Sequence, residues 1–479
     1  MNRDDGTLRN RIVAPVTPEL IEASRSSGVK QDINTPGDTL RPIPPPSRCN
    51  VNTTILRPTT LTLALLLAAA PALAQVPAYD AFQLQARSNL LVNDNGFNLP
   101  PGSSFNSVSA VINNDGDVAF PVQLVTAPGD PTDTGAGIWL GRNGIGEIVR
   151  RHDPPNDSIG TAVAINNAGK VAYIIHQGGS AYTMWLYDPD SAQSAPVNLL
   201  PLTPNSLSNV SLGDGDVLGY QGMFGGSRGF ASTVAFASPP DSVAHLYDNN
   251  LDPTSDHNYL YSPAMNNQRV IAGKVNTGTG SDYSKAEIRL FAADGSSERV
   301  VADVGLDPTS PFNAFDNGLD VNDHGAVAVV ARLSAGNVRA VYRFDAGGAT
   351  EIARIGAGPI TGIDFFAPAI NNNGLVAFRA VDAGGQAVYV GDGTSLLRVI
   401  GKGDVIETDQ GTGQLGQHDS SAVFGGAPDI NDNGDVVAIA GLHPQGNNQV
   451  EWGSGVIVAW AATDDDTIFA DGFEDTGPR

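Results

Sequence analysis

One short pattern returns along this chain and limits what the chain can become. In Ala369-Ile370-Asn371-Asn372-Asn373-Gly374-Leu375-Val376-Ala377-Phe378, two apolar runs flank an Asn-x-x-Gly centre. The same arrangement recurs at Ile112–Phe120, Ile165–Tyr173, Val321–Ala328 and Ile430–Val437. Two further copies are worn: Met265–Ala272 has Arg269 where the glycine should be, and Ser211–Val217 has lost both asparagines. With the glycine position placed at 116, 169, 215, 269, 325, 374 and 434, the copies follow one another at a period near fifty. Self-similarity at such a period is the mark of a propeller or solenoid and outranks any local reading.

Each copy has the chemistry of a β-hairpin. Asn and Gly tolerate positive φ, and Asn can also bond its own neighbouring backbone, so Asn-x-x-Gly is a turn with a mechanism. Val376-Ala377-Phe378 is apolar on both faces, as expected of a strand covered on both sides. Ala119, Ala172, Ala272, Ala328 and Ala377 hold the middle position of the outgoing strand, where a small side chain lets a neighbouring sheet approach.

Every period supports about four strands. The first enters the turn (107–112 in the first repeat) and the second leaves it (118–124). A third has a bulky centre at 137–140, 184–187, 287–291, 340–344, 387–390 and 456–460. A shorter fourth is expected at 147–150, 196–200, 243–247, 299–302, 351–354 and 397–400. The last repeat has no fourth strand of its own, and Asn89–Val92 is expected to supply it by pairing beside Val456–Trp460. The reading is therefore all-β: a seven-bladed β-propeller of four-stranded blades, closed into a ring by N- and C-terminal strands.

The Asn-x-x-Gly-x-Val-Ala-Phe copies resemble a family of bacterial exported tandem-repeat proteins with Asn-x-x-Gly…Ala-Phe repeats and a variable C-terminal anchor, over roughly residues 88–460. The resemblance implies a propeller-like exported protein of no assigned activity, and it transfers no catalytic residue. The tail Ile468-Phe469-Ala470-Asp471-Gly472-Phe473-Glu474 resembles a short ending carried by many exported proteins of certain Gram-negative bacteria, which implies a sorting or attachment role. The alternative for the tail is plain acidic disorder.

Domain organisation follows. Leu61–Ala70 is a short apolar run with Arg57 ahead of it and Ala72-Leu73-Ala74 behind, the layout of a secretory signal peptide over 51–74. It is too short for a comfortable membrane span. The simplest reading puts the initiator at Val51, leaving 1–50 untranslated or disordered; the alternative is a genuine extension with an internal anchor. Residues 75–461 are the propeller and 462–479 the acidic tail. Cys49 is the one cysteine, which excludes an intramolecular disulfide. A net charge of −24 argues against nucleic acid, because phosphate binding needs a basic patch.

Four patterns invite a chemical reading. Gly225-Gly226-Ser227-Arg228-Gly229 matches a nucleophile elbow, which requires a helix after the serine, yet Phe230–Phe236 reads as strand. Asp429–Gly434 resembles the opening of a calcium loop, but its twelfth position is Ala440 and no helices flank it, so turn chemistry accounts for it. The seven histidines are scattered without metal-ligand spacing. Asp153, Asp303 and Asp404 follow fourth strands at similar offsets, as a ring of cation- or sugar-binding acids would, or as solvated surface. No residue is assigned a catalytic, cofactor-binding or metal-ligating role, and no cofactor is expected. The expectation is an exported, non-catalytic binding or display propeller for an extracellular or envelope ligand, protein or glycan, with no integral membrane segment after signal cleavage. The alternatives are a carbohydrate-active hydrolase or lyase using funnel carboxylates, and a structural coat. Buried acids with shifted pKa at the axis would favour the enzyme.

The cleavage site yields the first testable outcome. Intact mass of the protein from periplasm or medium should place the N-terminus at or near Gln75; a mass that includes residues 1–50 would refute this.

Overall fold

The computed structural model describes residues 75–88, 96–104, 108–124, 135–152, 157–177, 181–417 and 422–462. Among them there is no helix, and the strands form seven antiparallel sheets in chain order, the blades of a β-propeller. The signal segment, the acidic tail and Asp153 lie outside the described residues.

Blades 1 to 6 are successive meanders, with blade 1 running through Val111–Ile112, Val118–Leu124, Gly135–Arg142 and Ile145–His152. First strands are short or interrupted. In blades 1, 4, 6 and 7 only a two-residue piece next to the turn (Val111–Ile112, Ala264–Met265, Ala369–Ile370, Asp429–Ile430) pairs with the axial end of the second strand. The expected fourth strand 196–200 of blade 2 instead runs Gln193–Pro196.

The core consists of seven apolar clusters, one at each junction between neighbouring blades. The five middle alanines are completely buried, each against the following blade. Blade 3 has Gly219 at that place, and a Cβ there would sit 2.6 Å from Cβ of Met265 in blade 4. This contact corrects the register of the worn third copy. The left-handed turn residue is Asp216 (φ 57°), not Gly215, and blade 4 places Arg269 (φ 62°) at the same point. A side chain in this conformation is strained, and both side chains grip the preceding blade. Asp216 accepts from Lys170 Nζ at 2.6 Å. Arg269 Nε donates to Ser232 Oγ at 2.7 Å, and its Nη1 pairs with Asp241.

Ring closure differs from the sequence reading in one particular. The strand beside Gly453–Ala461 comes from the N-terminal part of the chain, but it is Tyr79–Arg87, in register from Tyr79 opposite Ala461 to Arg87 opposite Gly455. Asn89–Val92 lies outside the described residues. The closing strand carries buried polar groups. Arg87 is fully buried, binds Asp409 through Nε (2.8 Å) and Nη2 (2.7 Å), and donates to the Trp452 carbonyl at 2.6 Å. Asp409 caps a hairpin of Val405–Thr408 and Gly411–Leu415 that extends the sheet of blade 7. Tyr79 donates to the Gly434 carbonyl at 2.7 Å in the turn of the same blade.

Breaking a buried ion pair by removing one partner costs about 3 kcal/mol or more. Arg87→Met should therefore lower the melting temperature of the whole ring in one cooperative transition, and deletion of 76–88 should lower it further. A separate low-temperature transition, with the main one unmoved, would show that the strand is an appendage.

Candidate functional site: the axial ring of turns

The seven repeat turns, five of them Asn-x-x-Gly, converge on the propeller axis and line a cavity of about 210 Å³. Its innermost layer is built from the first asparagine of six of the seven turns. Asn113 accepts at Oδ1 from the backbone N–H of Asp115 (3.1 Å) and Asp117 (2.8 Å), while its Nδ2 donates to the Asn166 carbonyl of the next blade at 3.0 Å. Equivalent bonds from Asn166, Asn266, Asn322, Asn371 and Asn431 reach the next blade at 2.9–3.4 Å, the last returning to the Asn113 carbonyl. These six amides are 3–5 % exposed. Gly213, the worn position in blade 3, accepts from Asn166 but has nothing to pass on.

A second layer forms a complete cycle. The backbone N–H of Asn114, Asn167, Asp214, Asn267, Asp323, Asn372 and Asp432 each donates to the side-chain oxygen of the next member, at 2.8–3.0 Å. The three acids belong to blades 3, 5 and 7 and are never neighbours. Each is forked by the backbone N–H and amide of the asparagine before it, as Asp432 is by Asn372 at 2.8 and 3.0 Å.

The same blades carry the third layer, one position before the last residue of the first strand. Ser211, Asp320 and Asp429 accept the backbone N–H of Met265 (3.1 Å), Ile370 (2.9 Å) and Ile112 (2.9 Å) across the joint to the following blade. Blades 1, 2, 4 and 6 have Val111, Ala164, Ala264 and Ala369 there. The cavity is thus lined by five carboxyl groups and by no lysine or arginine. Part of each Asp320 and Asp429 side chain faces the channel, but protein surrounds the rest. Loss of hydration pushes Asp320 up to about 6. Asp429 is pushed up to about 7, by lost hydration first and by the charge of Asp320 second.

The residues singled out from the sequence do not gather here, apart from the calcium-like loop. Within that loop Asp429 turns to Ile112, Asn433 Nδ2 donates to the Asn114 carbonyl at 2.7 Å, and Asn431 Oδ1 accepts from the Asp435 N–H, so its oxygens point to different partners. Ala440 is buried in a strand. Ser227 opens the third strand of blade 3 after the Gly225–Gly226 turn, pairs with Phe224, and is followed by strand. Asp303 closes its own loop by accepting from Gly305, Leu306 and Ala286. Asp404 pairs with Arg398 at 2.7 Å and with the Gly401 N–H. No cluster of three or more metal-ligating side chains occurs among the described residues. The axial pair Asp320 and Asp429 has no motif of its own in the sequence, although aligning the repeats at that one column sets two acids among alanine, valine and serine.

A family of unknown function (DUF7453) matches residues 240–472. No curated protein matches the sequence. Among solved structures the chain is similar to the β-propeller domain of the Trilobed protease from Pyrococcus furiosus, at 13% identity over 77% of this chain and 100% of that one (TM-score 0.47). It is also similar to TolB from Acinetobacter baumannii, at 14% identity over 59% of this chain and 63% of that one (TM-score 0.38). An acylaminoacyl peptidase is matched at 13% identity over 76% of this chain and 54% of that one (TM-score 0.41). The likeness is one of fold.

The raised acids give a signed pH dependence. A carboxyl that holds its proton more tightly folded than unfolded adds stability that is fully present below its ordinary value near 4 and is lost as pH rises through the folded value. Asp429→Asn keeps an acceptor for Ile112 and removes the charge. It should melt above the wild type at about pH 8, with the gap closing towards about pH 4. A variant less stable than wild type at the higher pH would show that the ring depends on the ionised group.

Proposed function

We propose that this protein is an exported, non-catalytic β-propeller that binds or displays a ligand of the cell envelope or the extracellular space, protein or glycan. The single observation that supports the non-catalytic reading is the use to which the axial acids are put. Asp320 and Asp429 have the raised pKa that an acid–base pair would need. Yet each spans a blade joint, holding its own next N–H with one oxygen and the following blade's N–H with the other. A group so held is placed to join blades rather than to meet a substrate. Export is supported by the signal-like segment 51–74, and the net charge of −24 supports a partner other than nucleic acid.

The competing enzyme reading has a direct test. The protein is incubated with a panel of neutral and acidic polysaccharides, and new reducing ends and unsaturated products are measured beside an Asp320→Asn, Asp429→Asn double variant. Equal background from both proteins is expected. Turnover by the wild type that disappears in a folded double variant would make the axial pair catalytic.

A further inference from the structure

Repetition provides an internal standard against which each blade can be compared. On the third strand of each blade, the residue paired with the position six after the left-handed turn residue is Gly137, Thr183, Gly229, Ala340, Ala387 or Gly455, all small and uncharged. Blade 4 alone has a carboxylate there, Glu287. Two residues on, other blades present Trp139, Trp185, Tyr342 or Tyr389 to the preceding blade, with Ala231 and Ile457 in blades 3 and 7. Blade 4 has Arg289. The wedge between blades that four rings fill is here a cavity of about 440 Å³, lined by both blades 3 and 4. That volume suits a small organic ligand.

Its floor is Glu287, 1 % exposed. The Arg289 Nη1 lies 3.4 Å from both carboxylate oxygens, Arg299 Nε donates to Oε2, and Thr277 Oγ1 is 3.4 Å from Oε1. Two guanidiniums thus serve one carboxylate, and the Nε of Arg289 is buried without a partner. His257 lies 3.9 Å from Glu287, and lost hydration, the largest cause, lowers its pKa and favours the neutral imidazole. Tyr247 and Phe291 supply ring surface to the walls. At the rim, Asp252 is occupied by the N–H and hydroxyl of Thr254, and Asp256 is exposed.

Burying a carboxylate that two partly exposed guanidiniums must balance, where the other blades pack glycine, alanine or threonine, is seldom favourable for stability, and departures from a local pattern concentrate at functional sites. From this surplus of guanidinium donors in a blade-specific cavity, we infer that the junction of blades 3 and 4 binds a small organic molecule through an oxyanion, carboxylate or phosphate, held by Arg289 and Arg299. Glu287 fixes the two guanidiniums, and the aromatic walls cover the apolar face of the ligand. The rim acids restrict the site to ligands of low total charge. The inference rests on the reading of the propeller as a binder, but its test is separate, because the polysaccharide assay reads turnover and this one reads occupancy.

Titration calorimetry and thermal shift on the full chain, with glucuronate, glucose and inorganic phosphate as probes, test it. Saturable binding of glucuronate is expected, with none of glucose. Arg289→Met should weaken it at least about tenfold. Arg289→Trp, which installs the residue of blades 1 and 2, should fold and abolish it, so that loss of binding is not loss of structure. Binding of phosphate alone supports the oxyanion site and assigns it to phosphate-bearing ligands. No binding of either anion, glucose binding as tight as glucuronate, or unchanged affinity in both Arg289 variants would overturn the inference.

Discussion

The ring depends on one amide with three simultaneous bonds. In six of the seven turns the first asparagine closes the turn by accepting two backbone N–H groups, as Asn322 does, and with its Nδ2 it holds the next blade's backbone carbonyl. Only a side chain with an acceptor and a donor in one plane can do both. Aspartate would set a carboxylate oxygen against a carbonyl oxygen, and serine would not span the gap. The same residue that makes the hairpin therefore makes the joint. A buried polar group is costly unless bonded, and here six of them are bonded only when their neighbours are in place. Local folding and ring assembly are thereby tied together, since no turn is fully satisfied until the adjacent blade has formed.

The second layer shows how charge is fitted into that frame. Seven positions on a closed cycle admit at most three acids with no two adjacent, and Asp214, Asp323 and Asp432 are three. Like charges side by side would repel at low dielectric, whereas an acid between amides receives neutral donors from them. The third layer repeats the choice of blades with Ser211, Asp320 and Asp429. Here the two acids are spaced by a blade and face one narrow channel, and lost hydration raises the pKa of both.

Much of this was legible in the sequence and some was hidden for definite reasons. Period, hairpins and bulky third strands follow from turn chemistry and apolar runs, both of which are local. The closing strand was misplaced because Leu90-Leu91-Val92 is an apolar run, whereas Tyr79–Arg87 includes Gln83, Gln85 and Arg87, which read as surface. Gln85 and Arg87 are in fact completely buried, and Asp409 and the Trp452 carbonyl, which hold Arg87, stand far along the chain. The worn third turn was misread by one residue because Gly215 attracts the glycine position. The bond from Asp216 N–H to the Gly213 carbonyl assigns it to an aspartate instead, and the contact of Gly219 with Met265 requires the same register.

The axial acids and the Glu287 cavity were missed for a related reason. A search for motifs asks which residues stand together in sequence, and neither feature has such a signature. In a repeat protein the informative comparison runs between equivalent positions of different blades. Alanine two residues before a turn says little by itself; aspartate in a column of alanine, valine and serine says that this blade does something its neighbours do not. Asp320 and Asp429 make such a column, and their geometry accounts for them as joints between blades. Glu287 and Arg289 make another, and the other blades form their joints with small residues, isoleucine or aromatic rings at the same positions. Of the two departures from the repeat, the one that architecture leaves unexplained is the one that points to a ligand.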